Sequence, residues 1–421
     1  MSLREIAPRF QLNTWSAEHP AAVVDAVSGA CVLPVAYSAA ANAVSTGDDP
    51  RRRRLGPRRL DGSEATLEFE HAGSTFRIVY RKPSPALLLA ELSAVNLAEW
   101  GLRTWLNVLV CGASAGLGSP EPAEAPLAGA DGVVRVEAPG RGLALVPGAP
   151  PSYVTVHASV ADFEADITGN GYYADATALR PGAPPAGGPV VALRFNLEAT
   201  PVVRFALALG ADAEAAAARA RAGARQLVAL DAAGDTHAEA AGSDADEGQA
   251  AVAAVMGWNS VLDVSNQRWY TAPTRAWVGG KFGGWFTWLD DTFFHAYLAA
   301  GQDVVPALRN LEVAMSAATP EGNLACLLSP RTRWLERSQS PIGAYVLLSY
   351  FLRSGDRAAL QRFRPVLARA LEWWLRERRD ERTGLFAYGT SAYGHGAFAG
   401  SALAARDESF MDNSPLFDGV P

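Results

Sequence analysis

The apolar residues of this 421-residue chain change period once, near the middle, and that change restricts it to two kinds of domain in series. Before about residue 210 they alternate. Leu67 and Phe69, then Phe76, Ile78 and Tyr80, alternate with polar residues on either side of a turn at 71–74, which is the pattern of a β-hairpin. Similar runs at 133–136, 153–160, 190–197 and 202–209 are separated by Pro- and Gly-rich breaks such as 147–151 and 181–189. Short strands punctuated in this way imply an antiparallel β-sandwich.

From 211 to 226 the sequence turns Ala-rich, with Glu and Arg interspersed and no proline, and predicts a linker helix. A break of small and acidic residues at 232–248 precedes a short helical run ending near Met256 and Gly257, and the domain boundary is expected in this stretch. After Trp258 the pattern predicts helices over 291–300, 304–317, 340–353 and 357–378, with Pro365 kinking or dividing the last. In that last helix Val366, Leu367, Ala370, Leu371, Trp374 and Leu375 recur at three and four positions, so one face is expected to be buried. Aromatic residues crowd the loops between helices: Trp258, Trp269, Tyr270, Trp277, Phe282, Trp285, Phe286 and Trp288. The chain therefore reads as a multidomain β + α protein, with a sandwich over 1–210, a helical linker over 211–257 and a helical domain over 258–421.

Composition removes several functional classes. A net charge of −7 leaves no basic field for a polyanion, and the one basic run, Arg51 to Arg54, sits beside Asp48, Asp49 and Pro50 as a solvated loop. Nucleic acid is not an expected partner. Cys31, Cys111 and Cys326 are an odd set without CxxC spacing, which suggests neither a disulfide framework nor a zinc site. Charged residues at 4, 5, 9 and 18 interrupt any signal peptide, and Asp25 and Pro34 interrupt the next apolar stretch, so a reduced, cytoplasmic protein without a membrane segment is expected.

The chemistry lies in three strings in the second half. They are Trp288-Leu289-Asp290-Asp291-Thr292-Phe293-Phe294, Arg337-Ser338-Gln339-Ser340-Pro341 and Glu408-Ser409-Phe410-Met411-Asp412-Asn413-Ser414-Pro415. In this order they resemble the sugar-pocket loops of glycoside hydrolase family 63 and its relatives, the mannosylglycerate hydrolases and trehalases. The resemblance runs from about Trp258 to Asp418, and the β-rich half resembles that family's N-terminal sandwich. It implies an (α/α)6 toroid and an inverting glycosidase, in which Asp412 protonates the departing glycosidic oxygen while a second carboxylate activates water. Such pairs stand about 6.5–9.5 Å apart, leaving room for the water.

By the same resemblance, Asp291 grips sugar hydroxyls without transferring a proton, and Gln339 is aimed at a hydroxyl pair. Trp288 and Trp285 are expected to cover the apolar face of a sugar ring, and Glu408, counted with Trp288, Asp291 and Gln339 among the substrate-binding residues, is expected either to raise the proton affinity of Asp412 or to accept backbone donors and stiffen its loop. Local pattern alone allows plainer roles: a helix-capping turn at Asp412, an N-cap at Asp291, a surface-loop Gln339, core tryptophans and a core His295. Two positions depart from the family: Asp290 stands where an aromatic is usual, and Phe410 where a glycine is usual.

About four or five helices follow Trp258, whereas six closed hairpins need about twelve, so the expected toroid is incomplete and the catalytic base is expected beyond residue 421. A free fragment of that kind is expected to aggregate and to be inactive. The substrate class is an α-linked glucoside, mannoside or small oligosaccharide. The alternative is a non-catalytic carbohydrate-binding protein on the same scaffold. Neither metal nor cofactor is called for, and the sequence is silent on the exact sugar, the linkage and the oligomeric state.

Overall fold

A computed structural model describes residues 6–112, 124–170, 173, 177–227, 244–274, 282, 284–335, 337–388, 401–409, 411 and 414–419. The chain divides into two compact units, Met1–Trp258 and Asn259–Pro421.

The first unit is built from strands β1 (Leu12–Asn13), β2 (Val23–Asp25), β3 (Cys31–Ser38), β4 (Ala43–Ser45), β5 (Arg53–Arg58), β6 (Glu64–His71), β7 (Ser74–Ser84) and β8 (Leu87–Asn96). They continue with β9 (Thr104–Cys111), β10 (Leu127–Ala128), β11 (Val134–Ala138), β12 (Arg141–Pro147), β13 (Tyr153–His157), β14 (Ala186–Gly187), β15 (Val190–Asn196) and β16 (Val202–Gly210). One antiparallel sheet runs β1-β2-β3-β9-β15-β13 with β4 on β3, and the other runs β14-β10-β11-β12-β16-β8-β7-β6-β5. Alternation makes the sandwich: Val32, Val108, Val110 and Leu193 of the first sheet share one core with Phe69, Phe76, Ile78, Leu92 and Phe205 of the second. The 71–74 turn closes as expected, with Ala72 and Gly73 at φ 49° and 80°, the left-handed pair that a two-residue hairpin loop demands.

Three features of this unit differ from the sequence reading. The run at 153–160 ends its strand at His157, and a helix, α2 (Val160–Gly169), begins at once. Ser159 caps it by accepting the Asp162 N–H, and Phe163 and Ile167 supply the buried face. The helix assigned to a linker, α3 (Ala213–Ala224), lies against the second sheet, with Ala216 and Ala217 packed on Ala144. It approaches that closely because Gly142 and Gly210 face each other in the β12–β16 register: a Cβ on Gly142 would stand 2.1 Å from the Ala213 nitrogen, and one on Gly210 2.4 Å from that of Ala216. Trp258, placed by sequence at the start of the helical domain, belongs to the sandwich core at the end of α4 (Asp244–Asn259). Its indole N–H donates to the Gly56 carbonyl at 2.8 Å, and the Arg58 guanidinium lies 5.1 Å from its ring centroid.

The second unit opens on the hairpin β17 (Ser260–Asp263) and β18 (Arg268–Thr271). A small sheet follows, of β19 (Thr287–Trp288), β20 (Leu327–Leu328) and β21 (Arg333–Trp334). Its helices are α5 (Leu289–Ala300), α6 (Val304–Ser316), α7 (Gly343–Ser354), α8 (Arg357–Glu377) and α9 (Ala402–Glu408). Antiparallel β-sheets followed by a helical region is therefore the architecture, as the period change implied. Asp303 caps α6 through the Val305 N–H, Gly355 ends α7 at φ 67°, and Asp356 caps α8 through the Ala359 N–H, which makes two successive helical pairs with short connections.

Pro365 does not divide α8. Gln361, whose carbonyl loses its donor, is exposed along with Pro365, so water can take the lost hydrogen bond. The buried face of α8 is Ala359, Phe363, Ala370, Trp373 and Trp374, whereas Leu371 and Leu375 are 51% and 47% exposed, contrary to the periodicity. Among the described residues no helix is long and apolar enough to cross a membrane.

The close seat of α3 gives a direct test. Gly142→Ala should destabilise the chain by about 1–3 kcal/mol, because the added methyl meets helix backbone and not a movable side chain. Urea titration followed by tryptophan fluorescence reads the loss, and an unchanged midpoint would contradict the close packing of this helix.

Candidate functional site

The three strings meet in the second unit, and hydrogen bonds between them fix how. Strand β19 runs directly into α5, whose N-cap residue, Trp288, gives no side-chain cap. The cap comes from the second string: Gln339 Oε1 accepts the Asp290 N–H at 3.0 Å, satisfying one of the donors that every helix start leaves open. The Leu289 N–H goes to the Cys326 carbonyl at 2.9 Å, tying the same helix start to the small sheet.

Glu408, at the end of α9, joins the second string to the third. Its Oε1 accepts the Ser338 N–H at 2.8 Å, the Ser338 hydroxyl at 3.1 Å and an Arg378 guanidinium N–H at 2.9 Å. The Glu408 side chain is fully buried, and Arg378, at the end of α8, is 4% exposed and lies 4.6 Å from the Trp373 ring centroid. Glu408 thus takes a backbone donor from the loop that precedes α7. Asn323 holds the approach to the second string, its amide donating to the carbonyls of Leu335 at 2.7 Å and Arg337 at 3.1 Å.

Trp288 belongs to an aromatic cluster. Its ring centroid is 5.6 Å from those of Phe286 and Trp334 and 5.8 Å from that of Phe282, all edge to face, and Trp285 packs on the same group. Arg337 extends the stack, 4.6 Å above Trp334. Trp288 is only partly buried, so packing in a cluster and presenting a face to a ligand are compatible.

The electrostatics single out Asp290, which the sequence marked only as standing where an aromatic is usual. Asp290 is 3% exposed, and its carboxyl is pushed up to about 8, first by burial and then by neighbouring Asp291, against hydrogen bonds from Ser340 that favour the charge. Its Oδ1 has no hydrogen-bond partner among the described residues. Burial also raises Asp291, which lies one residue further into the first turn of α5 and is less enclosed. The adjacent acidic pair at a helix start was the available signal: the N-terminal dipole favours the charges, but enclosure outweighs it. His295, one turn on, is lowered to about 4 by burial, the behaviour of a neutral core histidine.

Asp412, expected as the proton donor, and Phe410 beside it lie outside the described residues, as does Trp277. Met411 between them is 46% exposed. A cavity of 360 Å³ borders the second string at Ser338 and Gln339 and runs between α5, α7 and α8 past Leu289, Leu347, Leu367 and Trp373. Its lining is mainly aliphatic, which suits the hydroxyls of a sugar poorly. Among the described residues no three His, Cys, Asp or Glu side chains gather as a metal site.

Residues 284–420 match the family model described as the mannosylglycerate hydrolase MGH1-like glycoside hydrolase domain. All three strings fall inside that span. No curated protein matches the chain. Among solved structures, a bacterial glucoamylase complexed with acarbose matches at 12% identity and TM-score 0.45, over 90% of this chain and 59% of that one. A GH92 family glycosyl hydrolase matches at 10% identity and TM-score 0.33, over 92% and 65%, and a GH92 inverting mannosidase from Bacteroides thetaiotaomicron at 10% and 0.31, over 84% and 46%. The chain spans less than two thirds of the length of each of these structures.

Two outcomes are expected at this site. Glu408→Ala should cost about 3–5 kcal/mol in urea unfolding, because buried Arg378 loses its carboxylate partner and Ser338 its acceptor; a loss within error would show that the contact holds nothing. For Asp290, the folded carboxyl holds its proton up to about 8 while the unfolded one releases it near its ordinary value of 3.8, so stability should fall as pH rises through that window. Asp290→Asn should flatten this decline, which thermal melts at intervals between pH 4 and 9 would check.

Proposed function

We propose that the second unit binds a carbohydrate and belongs to a glycosidase that cleaves an α-linked glucoside, mannoside or small oligosaccharide with inversion, Asp412 serving as proton donor. One observation carries the reading: three strings far apart in sequence are joined through Gln339 to Asp290 and through Glu408 to Ser338, within the span that matches a glycoside hydrolase domain. The likeness to family 63 supplies the finer roles.

Asp412 comes four residues after Glu408 in the sequence. As an acid it would deliver its proton to the glycosidic oxygen as the C–O bond breaks, and the leaving alcohol departs neutral. Asp291 would accept hydrogen bonds from a pair of sugar hydroxyls, and Trp288 would offer an aromatic face to the ring. Gln339, whose oxygen holds α5, acts on the sugar chiefly by fixing where Asp291 stands. Inversion also needs a carboxylate to activate water. Glu408 is a poor choice for that, enclosed as it is by Ser338 and Arg378.

The test is hydrolysis of α-linked disaccharides and glycosyl-glycerates by the full-length gene product, with the first-formed anomer read by NMR. Inverted product is expected, and retained configuration would overturn the mechanism. Asp412→Asn should lower kcat by about 10²–10⁴-fold with little change in KM, since the amide keeps the shape but carries no transferable proton. Asp291→Ala should weaken sugar binding, measured by calorimetry. Sugar binding that depends on Asp291, without turnover of any substrate, would instead favour a non-catalytic carbohydrate-binding protein.

A further inference from the structure

Strand pairing brings together two cysteines that sequence spacing kept apart. Cys31, the first residue of β3, and Cys111, the last of β9, are direct cross-strand partners. Neither is in a disulfide, and each is 2% exposed. Both face away from the sandwich core, because the core takes their neighbours Val32 and Val110 and alternation sends the cysteines to the opposite face. On its other side Cys111 is paired with Val190 of β15, so the pair sits within the sheet and not at its edge.

We propose that Cys31 and Cys111 are a disulfide-forming pair, which closes when the chain meets an oxidising small-molecule disulfide and staples β3 to β9. Geometry favours closure. Directly opposed residues of antiparallel strands have Cα atoms about 4.5 or 5.5 Å apart, and both spacings fall in the range of about 4.4–6.8 Å that a disulfide accepts. Closure therefore needs side-chain rotation with little movement of either strand. The bridge would span a long stretch of chain, the arrangement in which a cross-link most restricts the unfolded state.

The exchange is balanced by a reagent such as oxidised glutathione. One cysteine thiolate attacks a sulfur of the reagent, forming a mixed disulfide and expelling the first reduced thiol. The second thiolate then attacks the cysteine sulfur of that mixed disulfide and expels the other. Two electrons pass from the cysteine pair to the reagent, and the two cysteine protons end on the released thiols. Burial and the neighbouring thiol hold the Cys31 proton tightly, so the folded dithiol should react slowly, and the bridge should form mainly while the strands are still exposed during folding. In a reducing compartment the pair remains two buried thiols.

The full chain, refolded in a glutathione buffer rich in the oxidised form, should become about 2 Da lighter and retain one alkylatable thiol after denaturation, Cys326. Prolonged incubation of the natively folded chain in the same buffer should give the same product more slowly, which covers failure to refold. Peptide mapping should join 31 to 111, and Cys326→Ser should leave no free thiol. Cys31→Ser should leave two. The oxidised chain should melt several degrees above its reduced form, a shift absent from a Cys31→Ser, Cys111→Ser double variant. Three alkylatable thiols by both routes, a bridge that includes Cys326, or a lower melting temperature on oxidation would each overturn the proposal.

Discussion

The arrangement of the second unit depends on a carboxylate with no access to water. Burying the Glu408 side chain completely costs several kcal/mol in lost hydration, which must be recovered by hydrogen bonds in good geometry. They come from the backbone and hydroxyl of Ser338 and from Arg378, so one oxygen atom ties together the end of α8, the end of α9 and the loop that precedes α7. Gln339, next to Ser338, passes the constraint on to the start of α5. Segments with no sequence proximity thus share one fixed geometry, and Trp288 and Asp291, carried at the start of α5, inherit it.

That network also explains the state of Asp290. Its amide donates to the Gln339 side-chain oxygen, which holds the first turn of α5 and with it the carboxyl. The outcome is a pair of neighbouring acids held differently, one strongly shifted and enclosed, the other less so and closer to solvent. The family resemblance noted a departure at Asp290 but not its consequence, because a residue's burial depends on what is packed over it and not on the residues flanking it in sequence.

Local signals were legible in the sequence where local physics decides. The hairpin at 71–74 and the helices α5 to α8 followed from periodicity and caps, and α2 had a readable Ser159 to Asp162 cap that a long β-like run concealed. Readings failed where distant contacts decide. The Leu371 and Leu375 face of α8 fits helical spacing but is not the face its neighbours cover. Cys31 and Cys111 gave no motif, since their meeting depends on the register between β3 and β9. Of the site, the three strings were found by resemblance, but Arg378 and Asn323, which hold them, carry no signature: a buried arginine and asparagine at loop edges look like surface residues until their partners are known.

The sandwich has its own dependence on residues beyond its last strand. The small side chains of α3 let its backbone lie almost on the sheet over Gly142 and Gly210, and Trp258 fills a place in the core from the far end of α4. A polypeptide cut after β16 would carry every strand and still be unfinished, with an uncovered groove along one sheet and a hole the size of an indole in the interior. The natural limit of this β unit is set by a side chain and not by its hydrogen-bonded ladder.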